Sequence, residues 1–253
     1  MNLNYYVLTD KGNHPKNEDA YQIEHIGDLF VFALADGIGS LPKADIAATL
    51  AVTELLHYIH ITGISDLHQG FDKVNQTIYN QGQQLETCMA TTLLACAINS
   101  TTGECTIAHV GDSRAYIFGS STWKTKDHSL VQELVELGIL TENGAFCHPE
   151  KHRLKQAIGS RSTIKPDIYE TLLDTDSIIV LCTDGVHDYV KNDDIEIIAL
   201  SNTPKQVCEN LIDLARSLGN TDDITILTIH YEKAQTSKPK FTRQPEKTFV
   251  IDA

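Results

Sequence analysis

Residues 29–40 read LFVFALADGIGS, and residues 178–188 read IIVLCTDGVHD. Each is an apolar run of strand length that stops at Asp-Gly, at Asp36-Gly37 in the first and at Asp184-Gly185 in the second. An unbroken apolar run belongs to a strand covered on both faces. Both segments are therefore read as buried strands, with a carboxylate at the end of each. Glycine beside the acid permits a tight turn and leaves its carbonyl within reach of a cation.

Working outward, residues 5–9 form a first strand. Residues 45–61 carry Ala47, Ala51, Leu55 and Tyr58 at helical spacing, and Phe71, Val74, Ile78 and Leu85 repeat the pattern. Strands then return: 91–98 and 105–110 flank the loop NSTTGE as a hairpin, and 115–118 continues the sheet. Ser129 with Gln132 makes a capping box, and Gly138 stops that helix. Thr203-Pro204 with Gln206 opens another, whose Val207, Leu211, Leu214 and Leu218 face the core as far as Gly219. The alternation of residues 224–229, ITILTI, closes the domain as a strand. The polar stretch 141–167 holds His148-Pro149 and Gly159 without sustained periodicity, which predicts a flap over the site rather than core. After Tyr231 the composition turns to Lys, Pro, Thr and Gln, so 1–231 is read as one domain and 232–253 as a flexible tail. Strands interleave with helical pairs without regular βαβ alternation, which predicts an α+β fold of stacked sheets with helices outside.

The composition narrows the function. At 42% apolar, 253 residues suffice for one sizeable core. A net charge of −14 argues against nucleic acid, whose phosphates it would repel. No window approaches the ~18 apolar residues of a membrane span, and residues 1–12 lack a basic start followed by an apolar block. Cysteines 88, 96, 105, 147, 182 and 208 form no C-x-x-C pair and sit mostly in apolar runs, as reduced thiols do. Together these features predict a cytoplasmic protein with neither membrane nor nucleic-acid partners. The acidic excess is compatible with handling phosphate if it is gathered around cations that reverse the local potential.

More acids fall at strand ends. Asp112 sits in VGDSR between two apolar strands, Asp222-Asp223 lies just before the last strand, and Glu18-Asp19 follows the first. Any one of these alone is an ordinary turn or cap. Brought to one edge of a sandwich they would repel strongly unless a cation neutralised them. An all-oxygen donor set suits Mg²⁺ or Mn²⁺ and not zinc, which prefers His and Cys.

In order along the chain, the segments TDKGNHPKNEDAY, LADGIGS, MATTLLACAI, AHVGDSRAYIF, the helix and flap from Asp127, IIVLCTDGVHD and NTDDITILTI resemble the motifs of the metal-dependent protein phosphatase family (PPM, type 2C) in its compact bacterial form. The likeness runs from about Thr9 to Ile229. It implies an αββα sandwich of two antiparallel sheets flanked by helices, and a serine/threonine phosphatase using metal-activated water at a binuclear Mn²⁺ or Mg²⁺ centre. Carried residue by residue, it implies that Asp36 bridges two ions and that Asp184 and Asp222 complete one of them. Glu18 or Asp19, with the carbonyl of Gly37, serves the other, and Asp112 with Asp184 holds a weaker third. The partner implied is a phosphorylated protein, opposed by a serine/threonine kinase.

Three positions depart from the family's pattern. His14, after a one-residue shortening, stands where an arginine normally binds substrate phosphate, and Lys16 is the alternative contact. Asp223 replaces the usual Asn. Ile38 stands where many eukaryotic members carry a histidine. His109, His128, His148, His152 and His187 are read as structural or surface residues. Two rival readings are a pseudophosphatase binding module, against which the intact Asp36, Asp184 and Asp222 weigh, and a phosphatase of small metabolites.

Overall fold

The computed structural model describes residues 2–232, so the tail expected over 232–253 lies outside the described residues except for Glu232, which is the last residue of a strand and pairs with Asn2. The first half runs β1 (Asn2–Asp10), β2 (Asp19–Ile26), β3 (Leu29–Asp36), α1 (Ala44–Thr62), α2 (Leu67–Gln84), β4 (Leu93–Asn99), β5 (Glu104–Val110), β6 (Arg114–Phe118) and β7 (Trp123–Lys124). The second half runs α3 (Leu130–Glu136), α4 (Glu142–Phe146), β8 (Asp167–Leu172), β9 (Ser177–Cys182), α5 (Asp184–His187), α6 (Asn192–Ser201), α7 (Pro204–Ser217) and β10 (Ile224–Glu232).

The strands form two five-stranded antiparallel sheets, ordered β1-β10-β9-β6-β7 and β2-β3-β4-β5-β8. The architecture is the α+β, αββα arrangement expected. Three apolar layers hold it together. Phe32, Leu34, Leu94 and Ile107 meet Ile179, Leu181, Leu227 and Ile229 between the sheets. Val31, Ala33 and Ala35, on the opposite face of β3, pack under α1 and α2. Val180 and Cys182 of β9 do the same under α6 and α7. This is why the two quoted runs are apolar at every position: alternate residues feed two different cores.

Of the caps read from the sequence, the box at Ser129 is half formed and the others are present. Ser129 Oγ accepts from Gln132 N at 3.2 Å ahead of α3, Gly138 lies at φ 70°, and Thr203 with Gln206 forms a capping box on α7. β10 extends beyond residue 229 to Glu232, paired along its length with β1. The flap expectation for 141–167 is corrected in part. Residues 141–153, including the fully surface-lying α4, fit it, but Ala157 and Ile158 are buried. Ile158 exchanges two backbone hydrogen bonds with Thr91 at 2.9 and 3.1 Å, and Gly159 N donates to the buried Asn75 Oδ1 at 2.7 Å. One inward turn thus anchors the segment to α2 and β4. The four buried cysteines, 96, 105, 182 and 208, are free thiols, as are the exposed Cys88 and Cys147. Among the described residues no helix is long and apolar enough to cross a membrane.

Candidate metal centre

Of the acids singled out in the sequence, Glu18, Asp36, Asp112, Asp184, Asp222 and Asp223 line a cleft of about 480 Å³ at one end of the sandwich, and Asp19 stands next to Asp36 without lining it. Asp19 opens β2 and Asp36 ends β3, and the two are register partners. Asp184 starts α5 immediately after β9, and Asp222 precedes β10, so these two come from the other sheet. Asp112 sits on the turn from β5 into β6, the connection that crosses between sheets.

Backbone and threonine contacts hold this edge. Asp36 N donates to Thr92 Oγ1 and Asp36 O accepts from Thr92 N, both at 2.8 Å. Thr91 Oγ1 also donates to Asp36 O, and Thr92 Oγ1 contacts Ser113 Oγ at 2.7 Å, beside Asp112. Thr183 Oγ1 donates to Asp19 Oδ2 at 3.0 Å and accepts from Thr225 N, which ties the sheets together across the cleft floor. Both glycines of the Asp-Gly pairs are required by close approach. A Cβ on Gly37 would lie 2.5 Å from Ala44 O and 2.8 Å from Glu18 O, and one on Gly185 would run into Asp223 O. Each glycine therefore lets the backbone of another acid segment close in.

The electrostatics follow from this crowding. Withdrawal from water, then the charge of Asp184, then Asp19, holds Asp36 well above the ordinary carboxylate range. Asp112 is raised by burial first and Asp184 second, and Asp19 by burial against the hydrogen bonds it accepts. Asp222, half-exposed, is raised more modestly by burial and Asp184. Carboxylates that oppose one another's ionisation in a rigid, all-oxygen cluster are the donor set for hard divalent cations. The residues present fit Mg²⁺ or Mn²⁺.

The expected phosphate contacts separate. Lys16 Nζ pairs with Asp45 Oδ2 at 2.7 Å and does not line the cleft, whereas His14 does. His14 Nδ1 lies 3.4 Å from Asp223 Oδ2, 3.5 Å from Asp222 Oδ1 and 3.9 Å from Glu18 Oε2. Partial burial pulls its pKa down, but Asp223, Asp222 and Glu18 together leave it above 6.5. Asp223 is buried and acts structurally, since its carboxylate accepts from Gly12 N at 2.8 Å and Glu18 N at 2.7 Å. The extra acid in place of Asn thereby fastens the opening loop to the start of β10.

Two residues read as structural stand at the site. His152, from the flap, lines the cleft; Asp184 and Asp188 hold its pKa up to about 10, the closer contact being 2.8 Å to Asp188 Oδ2. His187 is buried and its Nε2 donates to the Asp112 carbonyl at 3.0 Å, while burial pushes its pKa down to about 4. The signal for His187 was its place three residues after Asp184, one turn along α5. His152 lies in a segment without periodicity, and nothing in the sequence set it apart.

A family model described as Stage II sporulation protein E (SpoIIE) matches residues 27–232. A putative protein phosphatase 2C-type from Streptococcus pyogenes serotype M6 is 32% identical over 239 residues, covering 89% of this chain and 96% of its own length. Among solved structures, the S. agalactiae serine/threonine phosphatase is 32% identical and superposes with a TM-score of 0.81, covering 91% of this chain and all of that one. The serine/threonine phosphatase Stp1 from Staphylococcus aureus is 28% identical, with a TM-score of 0.83 over 92% of this chain and 96% of its own.

Proposed function

From the premise that this chain belongs to the SpoIIE/PPM-type family of metal-dependent protein phosphatases, we propose that it hydrolyses phosphoserine and phosphothreonine on proteins at the acid cleft. The single observation that carries this reading is the convergence of Glu18, Asp36, Asp112, Asp184 and Asp222 from both sheets on one cleft, with Asp19 set behind it as the register partner of Asp36. Asp36 would be the shared ligand, since it stands among Asp184, Asp19, Asp112 and Asp222, all of which act on its charge. Asp184 and Asp222 would hold one ion, Glu18 or Asp19 with the Gly37 carbonyl the other, and Asp112 with Asp184 would suit a weaker third. The chemistry that divalent ions supply when bound in such a set is activation of water as the nucleophile and neutralisation of phosphoryl oxygens.

The chain's own residues do the rest. The Thr91–Thr92 and Thr183–Thr225 contacts fix the carboxylates before substrate arrives, so little reorganisation is needed on binding. His14 stands on the N-terminal side of the cleft and His152 on the flap side, where a phosphate dianion would enter. Lacking the guanidinium fork, His14 offers one donor instead of a bidentate pair. No serine or cysteine need act as a nucleophile: the four interior cysteines are buried in strands and helices and none lines the cleft, and burial raises the pKa of Cys96, Cys182 and Cys208, by itself the larger cause at the last two and behind the Cys105 contact at Cys96.

The substrate is a phosphorylated protein, with an opposing serine/threonine kinase supplying the phosphate, and the reaction takes place in the cytoplasm. Net charge and free thiols support this, as does a polar cleft of about 480 Å³ that the flap residue His152 lines. Every acid of the cluster is intact, which outweighs His14 and Asp223 as departures that favour the pseudophosphatase reading. The decisive measurement is phosphate release from a phosphothreonine peptide with and without added Mn²⁺, in wild type and Asp36→Asn. Release that is Mn²⁺-dependent and lost in the variant is expected; equal release in both proteins would overturn the assignment.

A further inference from the structure

The acid cleft leaves a second group of ligating side chains unused. Among the described residues, His109, His128 and Asp167 each present one ligand atom, and all three atoms lie within 4.8 Å of one another. None of the three lines the acid cleft. They come from separate segments brought together by the sheet. His109 is in β5 and Asp167, at the start of β8, is its register partner. His128 is delivered by a backbone hydrogen bond from its N to Gly111 O at 2.9 Å.

His109 is the unusual member. It is 1% exposed, and neither ring nitrogen has a hydrogen-bond partner. A buried polar group left unpaired costs roughly 1–3 kcal/mol, and such groups are few in folded proteins. A buried histidine is most often a core residue with its ring satisfied, and here that ordinary reading fails on both nitrogens. The ring stacks on His128 with centroids 4.7 Å apart and planes at 21°. Burial, followed by the neighbouring His128, pulls its pKa down to about 4, so at neutral pH it carries a free lone pair.

We propose that His109, His128 and Asp167 form a second cation site, separate from the acid centre, for Zn²⁺ or a similar late first-row divalent ion. Two imidazoles and a carboxylate are a borderline-soft set with room for water in the remaining positions, unlike the all-oxygen cleft. The Asp167 side chain is 41% exposed, which gives an ion a way in and leaves the carboxylate free to close onto it. Tyr169 OH donates to Asp167 Oδ2 at 3.2 Å, the kind of outer contact that orients a ligand. Binding replaces two weak interactions, the 3.5 Å contact of His128 Nε2 with Asp167 Oδ2 and the hydrogen bond from Gly111 N to His128 Nδ1 at 3.3 Å. That bond ends whichever ring nitrogen of His128 is used. Either Nδ1 itself takes the ion, or Nε2 takes it and the ring proton moves to Nδ1. Gly111 is the residue before Asp112, so occupancy here is felt one residue from the acid cleft.

The test is a titration of Zn²⁺ into protein kept saturated with Mg²⁺, read by ¹⁵N spectra of the histidine rings and by the Gly111 amide. One equivalent of Zn²⁺ should move the ring nitrogens of His109 and His128 to metal-bound positions and shift the Gly111 amide, while the exposed His57 stays in place. In Asp167→Asn, a surface change that leaves the fold intact, Zn²⁺ affinity should fall by about 10-fold or more. Rings of His109 and His128 that stay unmoved in excess Zn²⁺ would overturn the proposal. So would shifts confined to His14 and His152 beside the acid cleft, or equal Zn²⁺ affinity in wild type and Asp167→Asn.

Discussion

Asp127 and Asp36 are both carboxylates drawn out of bulk water, and the protein moves their pKa values in opposite directions. At Asp127 burial works against the charge, but Arg114 lies across it as a fork, Nε to Oδ1 at 2.8 Å and Nη2 to Oδ2 at 2.7 Å, and the acid ends below its ordinary value. At Asp36 burial acts in the same sense, the next contributors are Asp184 and Asp19, and the acid ends well above it. The difference is a built-in cation. Among the described residues no lysine or arginine forms an ion pair with Asp19, Asp36, Asp112, Asp184 or Asp222, whose only ion-pair partners are His14 and His152. An acid given a permanent partner becomes part of the frame; acids denied one become a seat for an exchangeable ion.

The comparison breaks most visibly at Asp36. Asp36→Asn should cut Mn²⁺-dependent turnover of a phosphothreonine peptide to below about a thousandth, well past the ~10–100-fold that losing an outer partner of a ligand costs. In EDTA the same variant should melt above metal-free wild type, because one of several repelling charges has gone. A metal-free Tm that falls instead would make Asp36 a frame residue like Asp127.

Arg114→Met probes the other member. It strands Asp127 in a buried site, at a cost of about 3 kcal/mol read from urea unfolding at neutral pH. The pH dependence has a definite sign. The folded pKa of Asp127 lies below the ordinary 3.8, so the stabilisation from the pair is complete above that value and is lost as pH falls through the lowered one. Acid titration of a double variant, Arg114→Met with Asp127→Leu, should therefore show a shallower loss of stability below pH ~3.8 than wild type.

Thr92→Val sharpens the contrast at intermediate scale. It removes the acceptor for Asp36 N without touching a carboxylate, so about 1–2 kcal/mol of stability should go while Mn²⁺ dependence is kept. The smallest effect is expected at His14. His14→Arg should lower KM for phosphopeptide a few-fold and flatten its rise above neutral pH, with kcat little changed, since the contact exists already in the ground state. An unchanged KM at pH 6 to 9 would remove His14 from phosphate binding.

The sandwich was legible in the sequence because its central strands serve two cores at once, and that demand writes unbroken apolar runs. The carboxylates were legible because each ends such a run or stands at a turn beside one. What stayed hidden is what lies at edges. β2 and β8 are outer strands with mixed exposure, and β7 has two residues, so none shows a period strong enough to read. α6 was missed because its apolar positions are split between buried Ile195 and Ala199 and exposed Ile197 and Leu200. Gly159 and Asn75 meet across 84 positions of chain, a contact that no local pattern encodes. The same limit hid His152, whose importance comes from the flap's path and not from its neighbours in sequence.

Asp19 and Asp36 belong to one sheet and Asp184 and Asp222 to the other, with Thr183 reaching across to Asp19. Neither sheet alone owns a complete centre. A nascent chain must have made, folded and docked both halves, through β10 at its far end, before the ligands meet. A truncated or misdocked chain would thus be inert by construction, and an ion bound there would act as a clasp across the seam. Pulling the sheets apart in a force experiment should meet its main resistance at this edge when Mn²⁺ is present and lose that resistance in EDTA.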